Sequence, residues 1–320
     1  MQCRYQGIYP ISKSGDEMDL SVNAGGLKLE NPFIAASGTY GYGIEWEGLS
    51  NPDDFGAIVA KGIFLEPRIG NPHPRLVETS CGLINSVGLE GPGLEAFKSQ
   101  IIPQMRDLGA VCIANINGES VDEYAQIARS LQNEKTIAAL EVNVSCPNLQ
   151  DGGMAFGVDP KMVSEITSTV RKNFTRSVIV KLTPNVTDIR IPAKAALDCG
   201  ADALTIANTY TGMSIDVYKR TSRIGRDFGG YSGPAVKPIT LKLVYQVNSE
   251  FGCDIIASGG IYNLFDCLEY FIAGARALML GTVNFIDPSR IKKLKSELQD
   301  FLADQNITLG EITGSYKSPS

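Results

Sequence analysis

The chain has one histidine in 320 residues. His73 lies between prolines in "NPHPR", which reads as a surface loop. Any Ser–His–Asp or Cys–His relay, and any histidine-rich metal site, would hang on that single side chain, so no metal is expected. Cysteine is scarce in useful patterns. The seven thiols stand at 3, 81, 112, 146, 199, 253 and 267, odd in number and without a CxxC pair. Neither a disulfide framework nor an iron–sulfur site is indicated. No GxGxxG lies between a strand and a helix and no GxxxxGK[ST] occurs, which excludes Rossmann and Walker machinery. Uninterrupted apolar runs fall short of the ~18 residues of a membrane span. The best stretch, 271–286, contains Arg276, and the N-terminal "MQCRYQGIYPISKSGDE" has no apolar core of a signal peptide. A cytoplasmic protein is expected, in which sequons such as "NVS" (143–145) are chance. A basic footprint is missing too. Net charge is −6, and the one short cluster, "RIKKLK" (290–295), reads as the solvated face of a helix, so no nucleic-acid partner is expected.

What is present is ordinary globular composition, 43% hydrophobic and 20% charged, ample for a large core. Apolar, β-branched runs bounded by turn residues recur at 32–37, 57–62, 111–116, 140–145, 178–182, 204–209, 255–260 and 278–282. Helix-period stretches alternate with most of them, at 95–108, 120–132, 160–173, 187–199, 236–249 and 264–273, with 288–303 after the last. Buried strands alternating with helices predict a parallel sheet, and eight such units predict a closed (β/α)8 TIM barrel. "DLSVNAGGLKLEN" (19–31) carries two alternating runs around Gly25-Gly26, an N-terminal β-hairpin placed to plug the barrel bottom. Residues 19–320 read as a single barrel domain behind a leader, 1–18. The stretch 64–93 reads as a long loop without clear periodicity, apolar and glycine-rich enough to be functional.

Active sites of such barrels form at the carboxyl ends of the strands. Those positions hold Ser37, Lys61, Asn115, Asn143, Lys181, Asn208 with Thr209, Gly259-Gly260 and Gly281-Thr282. Each amide or lysine alone has a bland account as a strand terminator or a snorkelling cation. Together, with Val59/Lys61, Ile113/Asn115, Ile179/Lys181 and Ile206/Asn208 sharing faces, they form a convergent polar set. The last two strands end in "SGG" and "GT", and "YSGPA" (231–235) opens a helix. Glycines there let backbone N–H groups approach a phosphate. A phosphorylated cofactor follows, FMN or PLP. For PLP, Lys61 or Lys181 would form the Schiff base. For FMN, a lysine near the N1 and O2 edge would stabilise the anionic reduced ring. "NVSCPN" (143–148) tips the balance toward FMN. Cys146 sits where a strand gives out among amides, and an acid/base beside a flavin is what removal of vicinal hydrogens requires.

"ASGTYGYG" (36–43), "KGIFLEPRIGNPHPRLVET" (61–79), "GLINSVGLEGPG" (82–93), "NVSCPN", "KLTPNVTDI" (181–189), "NTYTGMSID" (208–216), "GGYSGPAVKP" (229–238) and "SGG" (258–260) together resemble the class 1 dihydroorotate dehydrogenases, with the B-type catalytic subunits the nearest match. The resemblance runs from about residue 19 to 287. It implies an FMN barrel oxidising dihydroorotate to orotate in pyrimidine synthesis, with Cys146 as catalytic base. It implies FMN contacts at Ser37, Lys61, Gly62, Asn115, Asn143, Lys181, Ala207, Gly233, Gly259, Gly260, Gly281 and Thr282. Substrate contacts are implied at Lys61, Asn85, Ser86, Val87, Gly88, Leu89, Asn143, Asn208 and Thr209. Departures are Ser86, where alanine is commoner, Cys81 as a second thiol in the substrate loop, and Ala207 in place of a larger apolar residue. "LQDGGMAFG" (149–157) has the glycines of a lid. The B-type likeness further implies a homodimer core with an electron-transfer subunit carrying FAD and a [2Fe–2S] cluster, a heterotetramer passing electrons to NAD. Rival readings are an A-type, fumarate-linked enzyme, a dihydropyrimidine dehydrogenase-like flavoenzyme (which commonly has histidine where this chain has Asn148), a non-catalytic flavin-binding subunit and a PLP barrel.

Overall fold

The computed structural model describes residues 18–46, 48–145, 147–148 and 154–319. The leader up to residue 17, Cys146 and the lid stretch 149–153 lie outside the described residues.

Eight strands form the barrel: β1 Phe33–Ala35, β2 Ala57–Ile63, β3 Val111–Ile116, β4 Ile137–Asn143, β5 Ser177–Lys181, β6 Ala203–Ile206, β7 Ile255–Ala257 and β8 Ala277–Leu280. All pair in parallel with their chain neighbours, and β8 closes on β1 through Leu278↔Phe33 and Leu280↔Ala35. Each expected strand is present, and the (β/α)8 reading holds. The strands are almost wholly buried on both faces, which explains why they read as continuous apolar runs rather than as alternation. Their outer faces pack on helices such as Val121–Leu131, Pro160–Asn173, Lys237–Phe251 and Leu264–Ile272.

Local chemistry sets the helix ends. Ser120 accepts from Glu123 N–H, Asp159 accepts from Lys161 N–H ahead of Pro160, and Asn263 with Asp266 closes a capping box. Two helices differ from the periodicity. The stretch read as 95–108 is a broken helix with a π turn at Phe97–Ile101 that ends at Met105. Pro103 has no N–H for the ladder and its ring crowds the preceding turn. The helix read from 187 begins at Arg190, because the Asp188 carboxylate takes the Arg190 N–H and guanidinium instead.

The hairpin Val22–Ala24 and Leu27–Leu29 turns through Gly25 and Gly26, both at positive φ. A Cβ on Gly25 would stand 2.7 Å from the Ala203 Cβ, so only glycine lets the turn enter the barrel floor. Ala24, Leu27 and Leu29 join Ile34, Val59, Ile113, Ile179, Ile256 and Met279 in one interior cluster. The expected plug is present. The 64–93 stretch, by contrast, is not an unstructured loop. Leu76–Thr79 and Gly82–Asn85 form a hairpin that joins strands Gly229–Ser232 and Tyr210–Gly212 in a four-stranded sheet. Strands this short gain their stability from partners more than a hundred residues away, and local periodicity does not record such pairing. Among the described residues no helix is long and apolar enough to cross a membrane.

Candidate active site

Side chains on one face of a strand repeat every second residue. Inside this barrel the repeat changes from apolar to polar toward the carboxyl ends. Val59 gives way to Lys61 on β2, Ile113 to Asn115 on β3, Ala139 to Glu141 and Asn143 on β4, Ile179 to Lys181 on β5, and Ala203 to Thr205 on β6. Strand register sets Asn115 opposite Glu141, and Lys181 between Asn143 and Thr205.

These groups form one hydrogen-bonded chain. Thr209 N–H donates to Asn208 Oδ1 (2.8 Å), Asn208 Nδ2 to Asn143 Oδ1 (3.1 Å) and Asn143 Nδ2 to Asn117 Oδ1 (2.7 Å). Asn117 Nδ2 donates to Asn115 Oδ1 (2.8 Å), and Asn115 Nδ2 to Glu141 Oε2 (2.6 Å). The Glu141 carboxylate also accepts from Lys181 Nζ (3.4 Å) and Thr205 Oγ1 (2.8 Å). Every amide therefore points its donor toward the carboxylate, an acceptor-only terminus.

The glycines converge beside this layer. Gly233, Gly259 and Gly260 have φ of 115°, 158° and 69°, and a Cβ on Gly260 would lie 2.8 Å from Gly233 O and 2.9 Å from Lys237 N. Tyr270 donates to Gly259 O at 2.6 Å; burial pushes its phenol up, so it stays protonated as a donor. Thr282 Oγ1 donates to Ser232 Oγ at 2.7 Å. Lys237 is taken by Asp266 (2.8 Å) and Glu269 (2.9 Å). At this turn Ala235 N–H donates to Cys81 O, Val236 N–H to Gly233 O and Lys237 N–H to Pro234 O. Pro234 has no N–H, so a cradle for an anion here would be built by the converging glycines rather than by this turn or by Lys237.

The rim is the turn after strand Gly82–Asn85. Asn85 Nδ2 donates to Gly230 O (2.9 Å), and Asn71 Nδ2 to Ser86 Oγ (3.0 Å). A Cβ on Gly88 would sit 2.5 Å from Asn71 N, and Leu89 is left-handed at φ 54°. That conformation costs a non-glycine residue about 1–3 kcal/mol and clusters at ligand clamps.

All the FMN and substrate contacts expected from the sequence line one cavity of about 1060 Å³, while Cys81 does not. That is at the upper end of the ~300–1,000 Å³ of small-molecule sites. Periodicity missed Glu141, Thr205 and Asn117. Glu141 was within reach of it, since "LEVN" sets it two residues before Asn143 on the same face. Ser145 Oγ is buried with no partner among the described residues. None of the described cysteines lines the cavity. Burial pushes the Cys112 and Cys253 thiols up to about 11 and raises Cys267 as well, so none of these three is a reagent at neutral pH.

The family model for dihydroorotate dehydrogenase matches residues 19–302. A "Dihydroorotate dehydrogenase B (NAD(+)), catalytic subunit" of Carboxydothermus hydrogenoformans is 47% identical over 298 residues, covering 93% of this chain and 97% of the relative. Proteins of the same name from Caldicellulosiruptor bescii (47% over 299 residues; 93% and 99% covered) and a Geobacter species (43% over 289 residues; 90% and 95% covered) are similar throughout.

Proposed function

The chain belongs to the dihydroorotate dehydrogenase family, and from that premise we propose that its cavity oxidises dihydroorotate to orotate on bound FMN, forwarding the electrons to NAD through a partner subunit. The observation that carries the reading is the meeting, in one cavity, of a glycine cradle that a Cβ would fill with a buried layer of amides and a lysine.

The residues fit FMN. Gly233, Gly259, Gly260, Gly281 and Thr282 would hold the phosphate. Asn115, Asn143 and Lys181 would meet the polar edge of the ring, with Ser37, Lys61, Gly62 and Ala207 completing the walls. When bound, FMN supplies the acceptor for the hydride from C6 of the substrate. The protein's own part is binding, orientation and proton removal. Asn85 through Leu89, Asn208 and Thr209 would hold the pyrimidine, because oriented amides satisfy both its N–H and C=O groups. Lys61, about a third exposed and 4.0 Å from Glu90, is free to turn to the substrate carboxylate. Cys146, next in the chain after Ser145, takes the proton from C5. Residues 19–320 act as one FMN-binding unit.

Gly260→Ala is expected to purify folded but nearly free of flavin, since its Cβ meets backbone on two sides and its φ is strained. Flavin released on denaturation, measured per chain, checks this. The reading itself is tested by anaerobic mixing of the yellow protein with dihydroorotate and with dihydrouracil. Bleaching by the first alone is expected. Bleaching by dihydrouracil alone, or a cofactor other than FMN, overturns it.

An exposed apolar rim supports docking of the partner at the cavity mouth. Tyr262, Phe285 and Ile286 line the cavity mouth, and with Phe265 they are 38–55% exposed, an apolar rim continuous with the cofactor site. The expected assembly is a pair of these barrels, each with an electron-transfer subunit carrying FAD and a [2Fe–2S] cluster. The isolated chain should reduce an artificial dye with dihydroorotate but neither fumarate nor NAD, and NAD reduction should appear when the partner is added. Rapid fumarate reduction by the chain alone would move it to the A type.

A further inference from the structure

Glu141 has no part in the family-based assignment of contacts, yet it is the most buried charged side chain of the site, with no exposed surface. Its two oxygens receive three side-chain donors: Asn115 Nδ2 at 2.6 Å, Thr205 Oγ1 at 2.8 Å and Lys181 Nζ at 3.4 Å. Lys181 itself is 9% exposed and lies otherwise against the Met279 sulfur at 3.8 Å. Two opposite charges this close in a dry interior act as a unit, because little solvent screens either one.

We propose that Glu141 is a positioning residue that offsets the charge of Lys181 and thereby sets the reduction potential of the flavin, while anchoring the acceptor end of the amide chain that runs to the substrate pocket. This rests on the FMN reading above.

The physical argument is one of net charge. An isolated ammonium under the ring's polar edge would strongly favour the anionic reduced flavin and make it a poor donor to the next carrier. With Glu141 beside it, the pair is close to neutral as a whole. The ammonium's nearness still favours the reduced ring, but the more distant carboxylate trims that preference. The same carboxylate fixes direction. Because it can only accept, Asn115 must turn Nδ2 toward it and present Oδ1 to Asn117, and the order passes through Asn143 to Asn208. One acidic side chain thus couples the electronic setting of the cofactor to the orientation of the substrate-binding amides.

Glu141→Gln is nearly isosteric. A glutamine oxygen can accept from Asn115 and Lys181 while its NH2 meets the Thr205 hydroxyl, so the change removes charge and spares shape. The experiment measures the flavin midpoint potential spectroscopically on holoprotein for wild type, Glu141→Gln, Lys181→Met and the double variant. The expected order runs from most positive in Glu141→Gln, through wild type and the double variant lying close together, to most negative in Lys181→Met. A side chain that only filled space would not give shifts of opposite sign that cancel. Glu141→Gln at or below the wild-type potential overturns the proposal, as does a double variant no nearer to wild type than Lys181→Met. If Glu141→Gln fails to fold, the double variant still decides through the second comparison. Thr205→Val keeps the charge while removing one donor, and should leave the potential within a small fraction of the Glu141→Gln shift; an equal shift would assign the effect to packing. Wild type that binds no FMN, or is not bleached by dihydroorotate, defeats the functional reading instead and is recognised before any variant is compared.

Discussion

Cys146→Ala is expected to keep its FMN and to lose roughly 10²–10⁴ in the rate at which dihydroorotate bleaches the flavin, the usual worth of a general base. None of the described thiols lines the cavity to replace it. Cys112, Cys253 and Cys267 are pushed up by burial and lie off the cavity, and the only histidine, His73, is in the proline-flanked loop. A free thiol ionises near pH ~8.5, so a small thiolate fraction is available at neutral pH without a histidine relay, and the rate should rise with pH as that fraction grows. Cys146→Ser should retain little activity, because a hydroxyl is a far weaker acid. Stopped-flow bleaching under anaerobic conditions measures both variants. Cys81, exposed at the edge of the strand Gly82–Asn85, is the control. Damage from Cys81→Ala with a neutral Cys146→Ala would name the other thiol.

Lys181→Ala should destabilise the barrel by about 3–5 kcal/mol, the cost of leaving a buried ion without its partner, and should lose flavin affinity in the same step. The Glu141 carboxylate would keep Asn115 and Thr205 as donors, but its compensating cation would be gone from an interior with no water contact. Removing both charges together, as in Lys181→Met with Glu141→Gln, should recover most of that loss, since a neutral pair of similar volume carries no desolvation penalty. Denaturant unfolding of the apoprotein separates the stability effect from flavin binding. Equal stability of Lys181→Ala and wild type would mean that the pair is solvated in solution, against its burial here.

Much of this protein is legible in one dimension. The eight strands appear as apolar runs because a closed parallel sheet buries both faces of every strand, and the helices appear through caps such as Ser120, Asp159 and Asn263. The two-residue period carries Lys61, Asn115 and Lys181 from chain to site, because each follows an interior apolar residue on the same strand face, and Asn143 follows Ala139 on its own strand with Glu141 between them. The glycines of the cradle are legible as a group for a similar reason: only glycine tolerates both the positive φ and the backbone approach at Gly233 and Gly260. Tertiary structure alone decided the rest. The hairpin Leu76–Asn85 exists through its pairing with Gly229–Ser232, a contact that no local pattern encodes. Pro103 turned a periodic helix into a π-broken one. Glu141 reads locally as an isolated acid in an apolar strand, a place where a carboxylate is costly. It becomes intelligible only when strand register brings Asn115, Lys181 and Thr205 from three other strands onto its two oxygens. A sequence records which residues are apolar, small or rigid; the partner that makes a buried charge tolerable is a property of the closed barrel.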